Sequence, residues 1–107
     1  MSFLILMVSA LTFASEDGIV KFQGVVMAVD VKNNIVTVNE RSFVCDQHTG
    51  IYNEKGAPCT LDKLKERGWV YIEGISDRAK RRNVARKIYV IPKRIGEKDK
   101  HLYSFFE

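Results

Sequence analysis

Histidine is scarce in this chain, and so are the other side chains on which catalysis commonly turns. There are two histidines, His48 and His101, and two cysteines, Cys45 and Cys59, in 107 residues. No Gly-x-Ser-x-Gly elbow, phosphate-cradling glycine loop, paired-glycine fingerprint or metalloprotease His-Glu-x-x-His occurs. Asp46 and His48 stand two apart, but no nucleophile lies near them in sequence. The chain is therefore expected not to be an enzyme and to carry no cofactor. Long apolar runs are also missing. The longest, Ser2–Ala14, holds ten apolar residues, whereas a membrane-spanning helix takes ~20. No repeat divides the chain, and its length suits one domain with one core.

That short apolar run has another use. Ser2–Ala14 is uncharged, and Ser15-Glu16-Asp17-Gly18 follows at once. Thr12-Phe13-Ala14 puts small residues at the two positions read before a cleavage point, so residues 1–14 are expected to be a secretory signal peptide. No Lys or Arg precedes the run, and the α-amino group would have to supply the charge. The alternative is a buried first element, but a helix apolar all round needs burial on every side. Periplasmic or secreted localisation follows, with no stable membrane insertion once the leader is removed. Two cysteines fit an oxidising compartment, where an even number implies a Cys45–Cys59 disulfide. The loop it closes would be worth roughly 3 kcal/mol in the chain-entropy model. Cys45, His48 and Cys59 could instead ligate a metal, but they lack a fourth partner, so no metal is expected.

The rest of the chain alternates in the manner of strands. Gly18–Val31 is β-branched and apolar, with Val20 and Phe22 in one phase and Val25, Met27 and Val29 in the other. Gly24 falls where the phase slips, as a bulge or bend requires. Val31–Asn34 is a turn, Ile35–Asn39 a second strand and Ser42–Asp46 a short third. Gln47–Thr60 is turn-rich, leaves room for a small hairpin near Asn53–Gly56, and is the one place where a pocket could hide. Thr60–Gly68 is predicted as a helix, capped by Thr60, with Asp62 in its first turn and Gly68 ending it left-handed. Trp69–Ser76 and Val84–Pro92 are the last strands. Residues 96–107 form a tail whose aromatic end either packs back on the domain or mediates association.

Strand, strand, strand, helix, strand, strand, with a bent first strand, is the layout of an OB-fold, a five-stranded Greek-key barrel. Residues 15–95 are its expected extent. A β-grasp or another β-rich roll is the competing arrangement. The segments Thr49–Pro58, Leu61–Ser76 and Asn83–Val90 also resemble a bacterial secreted family, domain of unknown function 5666. The matching positions are Thr49, Ile51, Gly56, Pro58, Leu64, Gly68, Val70, Ile72, Gly74, Ala85 and Ile88, and Phe22–Val38 resembles the family's opening hairpin. The resemblance implies an exported β-barrel module and no activity. Cys45, Cys59 and the basic stretch 78–87 depart from the pattern.

Charge divides the chain. Ser15–Asp62 holds four basic and seven acidic residues, and Lys63–Glu107 thirteen basic and six acidic. The densest stretch, Asp77–Lys87, divides into a turn up to Asn83 and a strand from Val84, which Arg86 and Lys87 only flank. An OB-fold binds through its strand 2–3 face and its 1–2 and 4–5 loops. Arg78, Lys80, Arg81 and Arg82 in the 4–5 loop are therefore the candidate contacts for an anionic ligand or protein partner. The plainer alternative is a solvated hairpin tip whose charges prevent edge pairing. Single-stranded nucleic acid is the second candidate ligand. It wants exposed aromatics for stacking, and the strand 2–3 segment has only Phe43, expected inside. Trp69 and Tyr71 share a strand face and could stack bases or sugars, or else lie beneath the tail.

Overall fold

The computed structural model describes residues 18–106, so the expected leader at 1–14 lies outside the described residues. Five strands follow in order: β1 (Ile19–Asp30), β2 (Ile35–Val38), β3 (Arg41–Tyr52), β4 (Trp69–Asp77) and β5 (Arg82–Ile91). They close into a barrel in the order β1-β2-β3-β5-β4. All pairings are antiparallel except β3 with β5, which is parallel. That is the OB-fold order. Among the described residues no helix is long and apolar enough to cross a membrane.

β1 closes the barrel by changing partners. Ile19 to Val25 pair with β4, and Val26 to Asp30 pair with β2. The phase slip lies at Met27, between Val26 and Ala28, and not at Gly24. Val26 is consequently buried and Met27 exposed, the reverse of the sequence expectation. Gly24 serves close approach: a Cβ there would lie 2.6 Å from Val38 Cγ1. At the changeover Asn39, in the left-handed region at φ 56°, exchanges hydrogen bonds with Val25. Its side-chain oxygen accepts the Val25 N–H and its own N–H donates to the Val25 carbonyl.

β3 is twelve residues long, not five. Its pairing with β5 is interrupted after Cys45 and resumes at Gly50. Polar Asp46-Gln47-His48-Thr49 conceals this continuation from a pattern search. Asp46 Oδ1 accepts the His48 N–H within the break, and Thr49 Oγ1 donates to the Ala85 carbonyl at 2.6 Å, which keeps the irregular stretch attached to β5. Beyond it, Tyr52 bridges Pro58 around a turn at Asn53–Ala57, so a small hairpin does form there.

The predicted Thr60–Gly68 helix is reduced to one 3-10 turn, Leu61–Lys63. Leu64 is already extended, and the Thr60 hydroxyl bonds Asp62 instead of capping a backbone N–H. Arg67, at φ 73°, takes the left-handed conformation expected of Gly68. Leu61 and Leu64 nevertheless both reach the core. Two apolar anchors three residues apart satisfy burial without a full helix, because few residues here gain from extending it.

The core runs the length of the barrel. Phe43, Val36, Val38, Ile72, Ala85 and Ile88 are fully buried. Tyr71, Val84, Ile91 and Ile95 are also buried and lie outside that cluster. The C-terminal segment, with 3-10 turns at Glu97–Leu102 and Ser104–Phe106, lays Phe105 over Tyr71.

Candidate functional site

The 4–5 loop is a tight turn, Arg78–Arg81, at the tip of the β4–β5 hairpin. Asp77 and Arg82 are its last paired residues. Asp77 Oδ1 accepts the Lys80 N–H, the Arg81 N–H donates to the Arg78 carbonyl, and Arg81 sits at φ 55°. The backbone bonds of the turn are thus met locally, and its side chains are turned to solvent. Arg78, Lys80, Arg81 and Arg82 are all exposed. The turn adjoins a shallow recess that also includes Ser76 and Asn83. Arg78, Arg81 and Arg82 line this recess, and Lys80 lies on the same turn. Arg86 stands apart at the β3 break, 3.5 Å from Asp46.

Asn83 joins this turn to the neighbouring face by donating to the Ser42 carbonyl at 3.4 Å. Ser42 and Thr37 share a hydroxyl–hydroxyl bond of 3.0 Å across β2 and β3. Ile35, Thr37, Ser42 and Val44 alternate with the buried residues where β2 and β3 pair, so the outer face of that paired stretch has no aromatic side chain; Tyr52 lies at the far end of β3. Phe43 points inward and is 0% exposed.

Trp69 and Tyr71 do not form one stacking site. Trp69 lines the opposite end of the barrel. Tyr71 is 5% exposed and lies beneath Phe105, with ring centroids 5.1 Å apart. Phe105 also stacks on Tyr89 at 4.3 Å, and Tyr89 on Tyr52 at 5.0 Å. Tyr52, Tyr89, Tyr71 and Gln23 occupy paired positions on β3, β5, β4 and β1, a row across four strands. Gln23 bonds both the N–H and the carbonyl of Ile95. The tail therefore packs back on the domain. Burial, with the Glu73 carboxylate nearby, pushes the Tyr71 phenol up to about 12. The sequence reading missed this row, although the hairpin register that pairs Tyr71 with Tyr89 could have suggested half of it.

The expected disulfide is not formed: Cys45 and Cys59 are free thiols. β3 turns Cys45 into the core, 9% exposed, whereas Cys59 is fastened to the Ile51 carbonyl beyond the hairpin. Burial first, then the Asp46 charge, pushes the Cys45 thiol up to about 11. His48 is exposed, its backbone N–H held by Asp46. That N–H, helped by the Arg86 guanidinium, holds the Asp46 carboxyl below its usual range. Among the described residues no three His, Cys, Asp or Glu side chains converge as metal ligands would.

Strand order, pairing and the changeover in β1 place the chain in the class of small closed OB barrels. Comparison with protein-family models, with curated proteins and with solved structures finds no match. Several positions that carry the family resemblance, Val70, Ile72, Gly74, Ala85 and Ile88, are buried barrel positions. They speak for architecture and name no ligand.

Proposed function

We propose that the protein is an exported binding module that contacts an anionic ligand through the Arg78–Arg82 turn. One observation carries this proposal: four exposed cations share one hairpin tip, in the loop that OB barrels use for ligands. Closely spaced cations raise the local concentration of anions and speed their encounter. In a cell envelope the partner would be an acidic polysaccharide, a lipid head group or an acidic protein. Export rests on the Ser2–Ala14 leader and accords with the secreted family that the chain resembles.

Single-stranded nucleic acid is the weaker alternative, because the paired stretch of β2 and β3 beside the basic turn has no outward aromatic on which bases could stack. Titration with a uronate polysaccharide and with an oligonucleotide at physiological salt separates the two. The polysaccharide is expected to bind more tightly, and Arg81→Glu or Arg82→Glu to weaken it about tenfold, as loss of a charge-assisted contact does. Preference for the oligonucleotide, or an intact Met1 on cytoplasmic protein, would overturn the exported-module proposal. Binding of neither would leave the turn a solvated tip.

A further inference from the structure

The barrel has a second end, nine β4 residues and about 25 Å from the basic turn. There the connection from β3 to β4 supplies one 3-10 turn in place of a helix, and the mouth is left partly unfilled. A cavity of about 490 Å³ opens at this mouth, within the range of small-molecule sites. Its floor is Val26, Leu64, Val70 and Val90, which are core residues or pack against the core. Its rim is Lys55, Lys63, Lys65 and Arg67, against the single acid Glu54. Among the described residues none of these four cations is in an ion pair.

The rim is held in place by backbone. The Arg67 N–H donates to the Val26 carbonyl at 2.7 Å, and the Val26 N–H to the Gly68 carbonyl at 2.8 Å. Arg67 keeps a left-handed φ of 73°, which costs a non-glycine residue some free energy and persists only where neighbours enforce it. An apolar floor that adjoins the core, ringed by unpaired cations on a pinned loop, matches a ligand with two parts. The floor takes a short hydrocarbon, and the rim takes one negative group at its end.

We infer that this open barrel mouth binds an amphiphilic carboxylate of medium chain length. Its acyl chain lies on the valine floor and its carboxylate among Lys63, Lys65 and Arg67. The site is separate from the basic turn and does not depend on that turn's having a ligand.

Trp69 lines the mouth and is the chain's only tryptophan, so its emission is a direct reporter. The full chain is titrated with octanoate and decanoate below their micelle concentrations, with calorimetry as a second readout. Saturable binding is expected, about tenfold tighter for decanoate, since each buried methylene adds a roughly constant increment. Octanol is expected to bind at least tenfold more weakly than octanoate. Arg67→Gly removes the charge and tolerates the left-handed backbone. Both it and Lys63→Glu should weaken decanoate about tenfold, whereas Lys98→Glu, in the tail, should not. Three results would each overturn the inference: no saturable binding by either readout, octanol equal to octanoate, or full decanoate affinity in both rim variants.

Discussion

Gly74 shows how closely a single position can be bound to the barrel's shape. A Cβ there would stand 2.6 Å from the Val84 carbonyl oxygen and 3.2 Å from the Phe43 ring. The carbonyl belongs to the neighbouring strand and cannot rotate away as a side chain could. Gly74→Ala is therefore expected to cost about 1–3 kcal/mol, like other overpacked cores, seen as a lower denaturant midpoint with an unchanged slope. A midpoint equal to wild type would mean that β5 shifts freely at this point. Cys45 belongs to the same scale. Its buried thiol, pushed up to about 11, is almost wholly protonated at neutral pH, and thiolate is the reactive form. Thiol reagents should leave Cys45 unmodified in the folded chain at pH 7 and modify it on unfolding, as read by intact mass. Rapid native labelling of Cys45 would show the barrel open there.

At the scale of elements, the tail and the tyrosine row form one unit. Phe105 lies over Tyr71 and Tyr89, and Gln23 grips the backbone at Ile95. The folded Tyr71 phenol loses its proton near pH 12 instead of near 10. Because the folded value is the higher one, its contribution to stability is complete below pH 10. That contribution is lost as pH rises through about 12. Burial raises the Tyr89 phenol as well, so in an alkaline absorbance titration Tyr71 and Tyr89 should ionise after the other tyrosines, and Phe105→Ala should move the latest step toward 10. An unmoved step would mean that the tail does not shield this ring in solution. The β3–β4 connection is the contrasting element, since its two leucines reach the core without a helix to carry them.

For the whole molecule, the central core and the tail separate cleanly. Every member of the main core cluster lies between Val26 and Ile88, and the partly buried residues against it between Val20 and Val90. A chain ending at residue 95 should therefore still unfold cooperatively, with its strand signal intact. It should lose roughly 1–3 kcal/mol, from exposure of the Tyr71 surface and loss of the stacked rings. Loss of cooperative unfolding would place the tail within the folding unit. Charge is distributed at the same scale: the cationic half of the sequence supplies both the hairpin tip and most of the mouth's rim, at opposite ends of one hairpin.

The five strands, the Val31–Asn34 turn, the basic hairpin tip and the inward Phe43 were legible in residue order alone. Alternation with period two and turn chemistry are local, and each can be read from neighbours along the chain. Other features were not legible, because they depend on partners far away in sequence. The slip at Met27 comes from β1 leaving β4 for β2. β3 continues past a polar break because β5 offers it a parallel edge. The helix does not extend because the barrel mouth asks for only two leucines. Cys45 and Cys59 both meet the core, one from β3 and one from the β3–β4 connection, yet remain free thiols, and residue order could not show that. Trp69 and Tyr71, neighbours on one strand face, differ in setting because Phe105 of the tail lies over Tyr71 whereas Trp69 lines the barrel mouth. Pairing and closure are long-range events, and only the folded barrel brings their partners together.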